Sequence, residues 1–420
     1  MHNVIIGTGP AGVVAAEALR KQDPDCGITL IGDEPEPPYS RMALPYLLIN
    51  KIDETGTHLR KEPGHYEAQR IELRRAAVTR LDAAAKTVAL DDGGSLAYDN
   101  VLVATGSSPI HPAIDGIDQP GVHNCWTLED ARHIARLAKP GAEVLLMGAG
   151  FVGCIVLEAL ARAGVKLTVV EMGPRMVPRM LDDTAGGMLR RWCEQKGVAV
   201  HTGTAVRAIG RKGWINKPLA AELDNGRKIS ADLIVSAVGV RPNVGFLEGG
   251  GIEADQGIRV DAGMRAAVDG VYAAGDVAQG MDFSTGQYSV QAIQPTAVEH
   301  GRVAGINMGG GSARLQGTVN MNILDTLGLV SASFGIWQGA DGGETAEQTD
   351  HDGYRYLKLC FDDDVLVGAQ SVGLVQHIGV LRGLIQGRTP LGVWKDRLLD
   401  NPGRLMEAYL ARQLPEIPGG

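Results

Sequence analysis

Six glycines fall into two triplets, Gly7/Gly9/Gly12 and Gly148/Gly150/Gly153, each spaced G-x-G-x-x-G. In that spacing the first glycine allows a tight turn and the second lets a backbone approach a pyrophosphate. The third lets a helix pack close on a strand. Acids follow both triplets: Asp33 and Glu34 after the first, Glu171 after the second, each about 20 residues on, the offset of a ribose-binding carboxylate. A carboxylate there accepts hydrogen bonds from a ribose 2′-OH and repels a 2′-phosphate. The chemistry read from these residues is nucleotide binding, twice, with NADH preferred over NADPH at the second site. Arg175 lies near enough in sequence to soften that preference.

The flanking residues supply the elements these loops need. An apolar strand, "NVII", leads into the first triplet, and a helical stretch containing Pro10 and Ala11 leads out of it to a second strand, "GITLIG". The second triplet repeats the arrangement between "AEVLLM" and "LTVVE", with Phe151 and Val152 opening its helix. A helix N-terminus facing the phosphates then offers unpaired N–H groups. Three further strands end in marked motifs. "YDNVLVATGSSP" ends at Ala104, Thr105 and Gly106; "ADLIVSAVGVRPN" ends at Gly239; "VYAAGDVAQ" ends at Gly275 and Asp276.

Other chemistries are poorly supported. The five cysteines, Cys26, Cys125, Cys154, Cys193 and Cys360, are scattered, and no C-x-x-C pair exists. That argues against a redox dithiol, a local cysteine-motif zinc site and a ferredoxin-type cluster. No metal-ligand spacing emerges among the histidines, and no catalytic side chain is assigned. Cys154 opens a helix, where a thiol pKa can fall, but a small buried hydrophobe is the better reading. The net charge of −9 argues against nucleic acid as a partner. No apolar run is long enough to span a bilayer, and "MHNVIIGTG" enters a strand without signal-peptide architecture. A cytoplasmic protein is expected.

The order of motifs resembles the two-dinucleotide-binding-domain flavoproteins of the pyridine nucleotide–disulfide oxidoreductase superfamily. The resemblance covers nearly the whole chain. It implies an α/β fold: two Rossmann-like, three-layer dinucleotide-binding domains plus a small α+β C-terminal interface domain. The implied boundaries are 1–115 and 245–312 for a discontinuous FAD domain, 116–244 for the NAD(P)H domain and 313–420 for the interface domain. FAD would lie on Gly7, Gly9, Pro10, Ala11 and Gly12, with Asp33 or Glu34 at its ribose. Arg41, Met42, Val78, Ala104, Thr105, Gly106, Gly275, Asp276, Thr296 and Ala297 would complete its site. Asp276 would hydrogen-bond the ribityl or phosphate portion, the alternative being a plain helix N-cap, and Val78 would meet the adenine through its backbone. NAD(H), and less readily NADP(H), would lie on Gly148, Gly150, Phe151, Val152, Gly153, Glu171 and Gly239.

Branches of this superfamily differ in what they place beside the flavin, and here that stretch is "PYSRMALPYLL", residues 38–48. Where the coenzyme A disulfide reductases and NADH oxidases resemble "N-C-A-L-P-Y", this chain has Met42, and a thioether cannot cycle through a sulfenic acid as cysteine does. The ferredoxin and rubredoxin reductases resemble "P-Y-x-R-P-x-L-S-K", matched by Pro38, Tyr39, Arg41 and Leu44. Their lysine falls at Tyr46 and its glutamate partner at Ile155, so both halves of that ion pair are missing; Glu158 lies one turn further on. Arg41 would neutralise an FAD phosphate or reach a carboxylate. The expected activity is an FAD-dependent NAD(P)H oxidoreductase passing electrons to a carrier protein or a small acceptor. The rival is a flavoprotein subunit of a larger redox complex with a vestigial NAD site. A homodimer through the C-terminal domain is a family-level expectation.

C-terminal to these motifs, "YRYLKLCFDDDVLVGAQSVG" reads as a hairpin with an acidic turn and "HIGVLRGLIQGR" as a short helix. The loop at 280–290 reads as a surface loop or part of an acceptor entrance, and the tail "LPEIPGG" as frayed.

Overall fold

The computed structural model describes residues 1–211 and 218–413; the tail "LPEIPGG" lies outside them. The chain divides into two compact units, Met1–Ile110 with Val240–Thr318, and His111–Gly239 with Val319–Gly420.

In the first unit, a five-stranded parallel sheet runs in the order Val271–Ala273, Asn100–Val103, His2–Ile6, Gly27–Gly32, Glu72–Arg75. Its inner strands are mostly apolar because both faces are covered, and Val4, Ile5, Leu30, Val101 and Leu102 are inaccessible to solvent. The chain leaves the central strand His2–Ile6 toward Gly27–Gly32 on one side and later adds Asn100–Val103 on the other. Strand order therefore reverses beside His2–Ile6, and ligands of such sheets bind outside the carboxyl ends at that point.

The crossover helix Pro10–Gln22 packs on the helix Gln294–Met308 through small residues. A Cβ on Gly301 would fall 2.2 Å from the Ala11 carbonyl oxygen, and one on Gly305 2.3 Å from that of Ala15. The two backbones touch, which fixes the start of Pro10–Gln22 against the second half of Gln294–Met308. A separate antiparallel sheet, Val78–Asp82, Thr87–Leu90 and Ser95–Ala97, completes this unit's larger elements.

His300, on Gln294–Met308, is buried, and its Nδ1 has no hydrogen-bond partner among the described residues. Burial pushes the imidazole down to about 4. The folded state thus holds it neutral, while the unfolded chain takes up a proton below its ordinary value of about 6.5. Stability present above pH ~6.5 is lost as pH falls through about 4, by about 3 kcal/mol in total for this group. Thermal melts at stepped pH should show a shallower acid-side fall for His300→Gln than for the wild type; equal slopes would refute the assignment.

The second unit has its own five-stranded parallel sheet, in the order Ala199–Thr202, Lys166–Glu171, Glu143–Met147, Leu233–Ser236, Val122–Asn124. The same unit contains a five-stranded antiparallel sheet, Met321–Thr326, Leu329–Gly335, Val365–Val372, Arg355–Asp362, Glu344–Asp350. The expected hairpin is Arg355–Asp362 with Val365–Val372, turning at Asp363 and Asp364, and the expected helix is Ile378–Gln386. No helix of the described residues is long and apolar enough to cross a membrane.

Candidate functional site

The two glycine triplets build the same backbone twice. Gly7 (φ 118°) donates its N–H to Ile31 at 2.7 Å, and Gly148 (φ 96°) donates to Val170 at 2.8 Å. A Cβ on Gly7 would sit 2.1 Å from the Ala104 carbonyl oxygen, and one on Gly148 2.4 Å from that of Ala237. Gly12 and Gly153 press on their own loops: a Cβ would come within 1.9 Å of the Gly7 oxygen and 2.1 Å of the Gly148 oxygen.

Gly9 and Gly150 differ from the rest. Both are extended N-cap residues, and a Cβ on either would meet nothing within 4 Å. Open space therefore adjoins each loop at the position where a pyrophosphate must approach the backbone. The helices that begin there, Pro10–Gln22 and Phe151–Arg162, have no side-chain cap. By contrast Thr127, Asp182 and Asp53 cap theirs with side chains. Uncapped first-turn N–H groups beside open space suit an anion, so both loops fit a dinucleotide.

The acids are held by different means. The Glu171 carboxylate accepts from the Ala149 N–H at 2.6 Å and the Gly173 N–H at 2.6 Å. Glycine-to-strand hydrogen bonds align Gly32, not Asp33, with Glu171. In the first unit Thr8 lies over Gly32, 2.6 Å from where a Cβ would be, so the acids come one and two residues later. Asp33 is exposed. Glu34 accepts from the Tyr39 hydroxyl at 2.5 Å and from Arg41 at 2.6 Å, while Arg41 also donates to the Tyr39 hydroxyl at 3.1 Å. The carboxylate of Glu34 is thus within reach of Arg41, as the sequence allowed. Arg175 donates to the Leu181 carbonyl at 2.7 Å and pairs with Asp183 at 2.8 Å. Its guanidinium is thus tied to its own loop.

The remaining motifs of the first unit converge. Thr105 Oγ1 donates to the Asn243 carbonyl at 2.9 Å, and Asn243 Nδ2 donates back to the Thr105 carbonyl at 3.0 Å. The Asn243 N–H reaches the Gly106 carbonyl, and Ser107–Pro109 pairs antiparallel with Val240–Pro242. Gly275 (φ 77°) faces Ala11 and Ala297, whose Cβ atoms lie 3.3 and 3.5 Å from where its own would be. Thr296 is buried beside Ala297. Asp276 accepts from the Ser107 hydroxyl at 2.9 Å. Burial raises its pKa, opposed by that hydrogen bond and by Arg41. Among the described residues no backbone N–H of its own turn donates to it, which argues against the plain N-cap. Ser107 went unassigned in the sequence, although it stands next to Gly106.

The stretch 38–48 ends in a short turn, Arg41–Ala43, and a short helix, Leu44–Leu48. Ser40 donates to Gln294 Oε1 at 2.5 Å, tying the stretch to the helix Gln294–Met308. Met42 and Tyr46 are about half exposed (45% and 50%), so Tyr46 needs no buried partner. Val78 opens its strand opposite Leu90, partly buried on the core. The loop after Ala278–Met281 is a tied turn, with Asp282 Oδ1 accepting from the Ser284 and Thr285 N–H groups.

In the second unit, Phe151 and Val152 open their helix half-buried, and Gly239 has φ 126°. Glu158 pairs with Arg162 at 2.8 Å rather than replacing a partner at Ile155. Cys154 is wholly buried, its Sγ 3.6 Å from the Ala149 carbonyl oxygen, and burial holds the thiol well above its ordinary range. All five cysteines are buried and free.

Comparisons with known proteins agree with this geometry. The family described as "Pyridine nucleotide-disulphide oxidoreductase" matches residues 1–301. The NADH-dependent phenylglyoxylate dehydrogenase subunit epsilon of Aromatoleum evansii is 34% identical over 407 residues, covering 95% of this chain and 94% of that protein. The anthranilate 1,2-dioxygenase system ferredoxin–NAD(+) reductase component of Burkholderia cepacia is 38% identical over 280 residues, 65% of this chain and 67% of that one. Among solved structures, an NAD-dependent persulfide reductase from A. fulgidus superposes with a TM-score of 0.85 at 29% identity, covering 94% of this chain and 78% of that one. Putidaredoxin reductase, solved in covalent complex with putidaredoxin, shares the fold with a TM-score of 0.89 at 23% identity, covering 99% of each chain.

Proposed function

The chain belongs to the pyridine nucleotide-disulphide oxidoreductase family, and on that premise we propose an FAD-dependent NADH oxidoreductase that passes electrons to a carrier protein or small acceptor without a redox-active cysteine. The observation that carries this is the duplicated loop: two glycine triplets of matching geometry, one in each unit, each open at its middle glycine. Bound FAD supplies the acceptor for a hydride from NADH and the donor for the next step.

The protein's own residues bind and orient. In this reading the first loop and its uncapped helix take the FAD pyrophosphate, with Glu34 the ribose acid and Arg41 and Tyr39 holding it in place. Asp276, fixed by Ser107, presents its free oxygen to the ribityl or phosphate portion. Thr105, Gly106 and Asn243 hold the strand end rigid, and Val78, Thr296 and Ala297 border the same site. Met42 and Tyr46 leave an exposed stretch with no thiol, so an acceptor meets the flavin directly. The second loop, with Phe151, Val152 and Gly239 beside it, takes NADH. Glu171 sets the preference, since Arg175 is tied elsewhere. The reading assigns residues 1–115 and 245–312 to FAD, 116–244 to NAD(H), and 313–420 to an interface domain through which a homodimer would form.

A second reading has specific support. A relative matching this chain over nearly its full length is named as a subunit, which favours work within a larger redox complex. The intact second loop opposes a vestigial NAD site.

Anaerobic stopped-flow absorbance tests the proposal. NADH should bleach the flavin band, and NADPH at equal concentration should do so about 100-fold less effectively, as expected for a carboxylate meeting a 2′-phosphate. No bleaching by either nucleotide, with dithionite still effective, would sink the dehydrogenase reading and leave the subunit reading. Copurification of further chains at fixed stoichiometry would support the latter.

A further inference from the structure

Val177 is β-branched, almost wholly buried and in the left-handed region at φ 49°. Such a conformation is unfavourable and persists only where the surroundings over-determine it. Val177 belongs to the strap 173–182 that follows Glu171.

One side of the strap is latched to the second glycine loop. The Val177 N–H donates to the Ala149 carbonyl at 2.8 Å, and the Ala149 N–H in turn donates to Glu171. The other end is latched to the C-terminal antiparallel sheet. Gln370 Oε1 accepts from the Asp182 N–H at 3.3 Å, its Nε2 donates to the Met180 carbonyl at 3.4 Å, and the Tyr356 hydroxyl donates to Asp182 Oδ2 at 2.7 Å. Both side chains belong to residues with no solvent exposure. Apolar side chains would pack this contact with less desolvation. Polar groups bonded at both ends instead fix one geometry, because any displacement leaves a buried donor or acceptor unmet.

We propose that Gln370 and Tyr356 are positioning residues for the nicotinamide nucleotide, holding the strained strap so that Ala149 and Glu171 keep the second loop in its binding form. The proposal rests on the assignment of that loop to NADH. None of the recorded hydrogen bonds of Gln370 or Tyr356 reaches the loop; they act through the strap.

Calorimetric titration of NAD+ into FAD-loaded protein tests this without turnover. Tyr356→Phe and Gln370→Leu should each raise the dissociation constant about tenfold, the scale of one lost buried hydrogen bond. Phe334→Leu serves as comparator, since Phe334 is buried in the same sheet but pairs with Ala369 rather than Gln370 and so points to the other face. It should lower the melting temperature while binding NAD+ like the wild type. Wild-type affinity in both strap variants, or an equal loss in all three proteins, would overturn the inference while leaving the NADH assignment standing. A wild-type protein that takes up no NAD+ would overturn both.

Discussion

Gly12→Ala is expected to purify without flavin. The added Cβ would sit 1.9 Å from the Gly7 oxygen, and Gly7 has nowhere to go. Its N–H is bonded to Ile31 at 2.7 Å, and the Ala104 carbonyl blocks its other side. The start of the helix Pro10–Gln22 must lift, yet that helix is in backbone contact with Gln294–Met308 at Gly301 and Gly305. Overpacking of this kind costs about 1–3 kcal/mol, and it falls on the groups that would receive the pyrophosphate. The FAD dissociation constant should rise about tenfold or more, the equivalent of ~1.4 kcal/mol or more, and flavin absorbance per mole of purified protein should fall with it. Gly9→Ala separates the causes, because its Cβ meets no protein atom. It should lose flavin while keeping the melting temperature of the flavin-free wild type. Full flavin content in Gly12→Ala would remove the first loop from the FAD site.

Much of this was legible because its causes are local. A glycine triplet between an apolar strand and an apolar helix dictates its own backbone, and both loops formed as the spacing implied. The hairpin 355–372 was legible for the same reason, as alternation and an acidic turn need no distant partner. What stayed hidden depended on distance along the chain. Asp276 is oriented by Ser107, 169 residues earlier. Counting from the third glycine set Asp33 and Glu171 at similar offsets, but the strand hydrogen bonds align Glu171 with Gly32. Arg175 looked available to a nucleotide because nothing in sequence marks Leu181 and Asp183 as its partners. Nor does any local rule place a valine at φ 49°; tertiary bonds from Ala149, Gln370 and Tyr356 hold that strap against its own preference.

The same substitution in the other loop should behave differently, and the contrast discriminates between the two sites. Gly153→Ala would bring a Cβ within 2.1 Å of the Gly148 oxygen. Gly148 is pinned as Gly7 is, by Val170 on one side and the Ala237 carbonyl on the other. The disturbance falls in the second unit, so flavin content should stay near wild type. Reduction by NADH should slow about 100-fold, equivalent to ~2.7 kcal/mol, while dithionite still bleaches the flavin fully. If Gly153→Ala lost its flavin as Gly12→Ala does, the loops would not be independent sites. If NADH reduced it at the wild-type rate, hydride would be reaching the flavin without the second loop, and the duplicated geometry would no longer carry the functional reading.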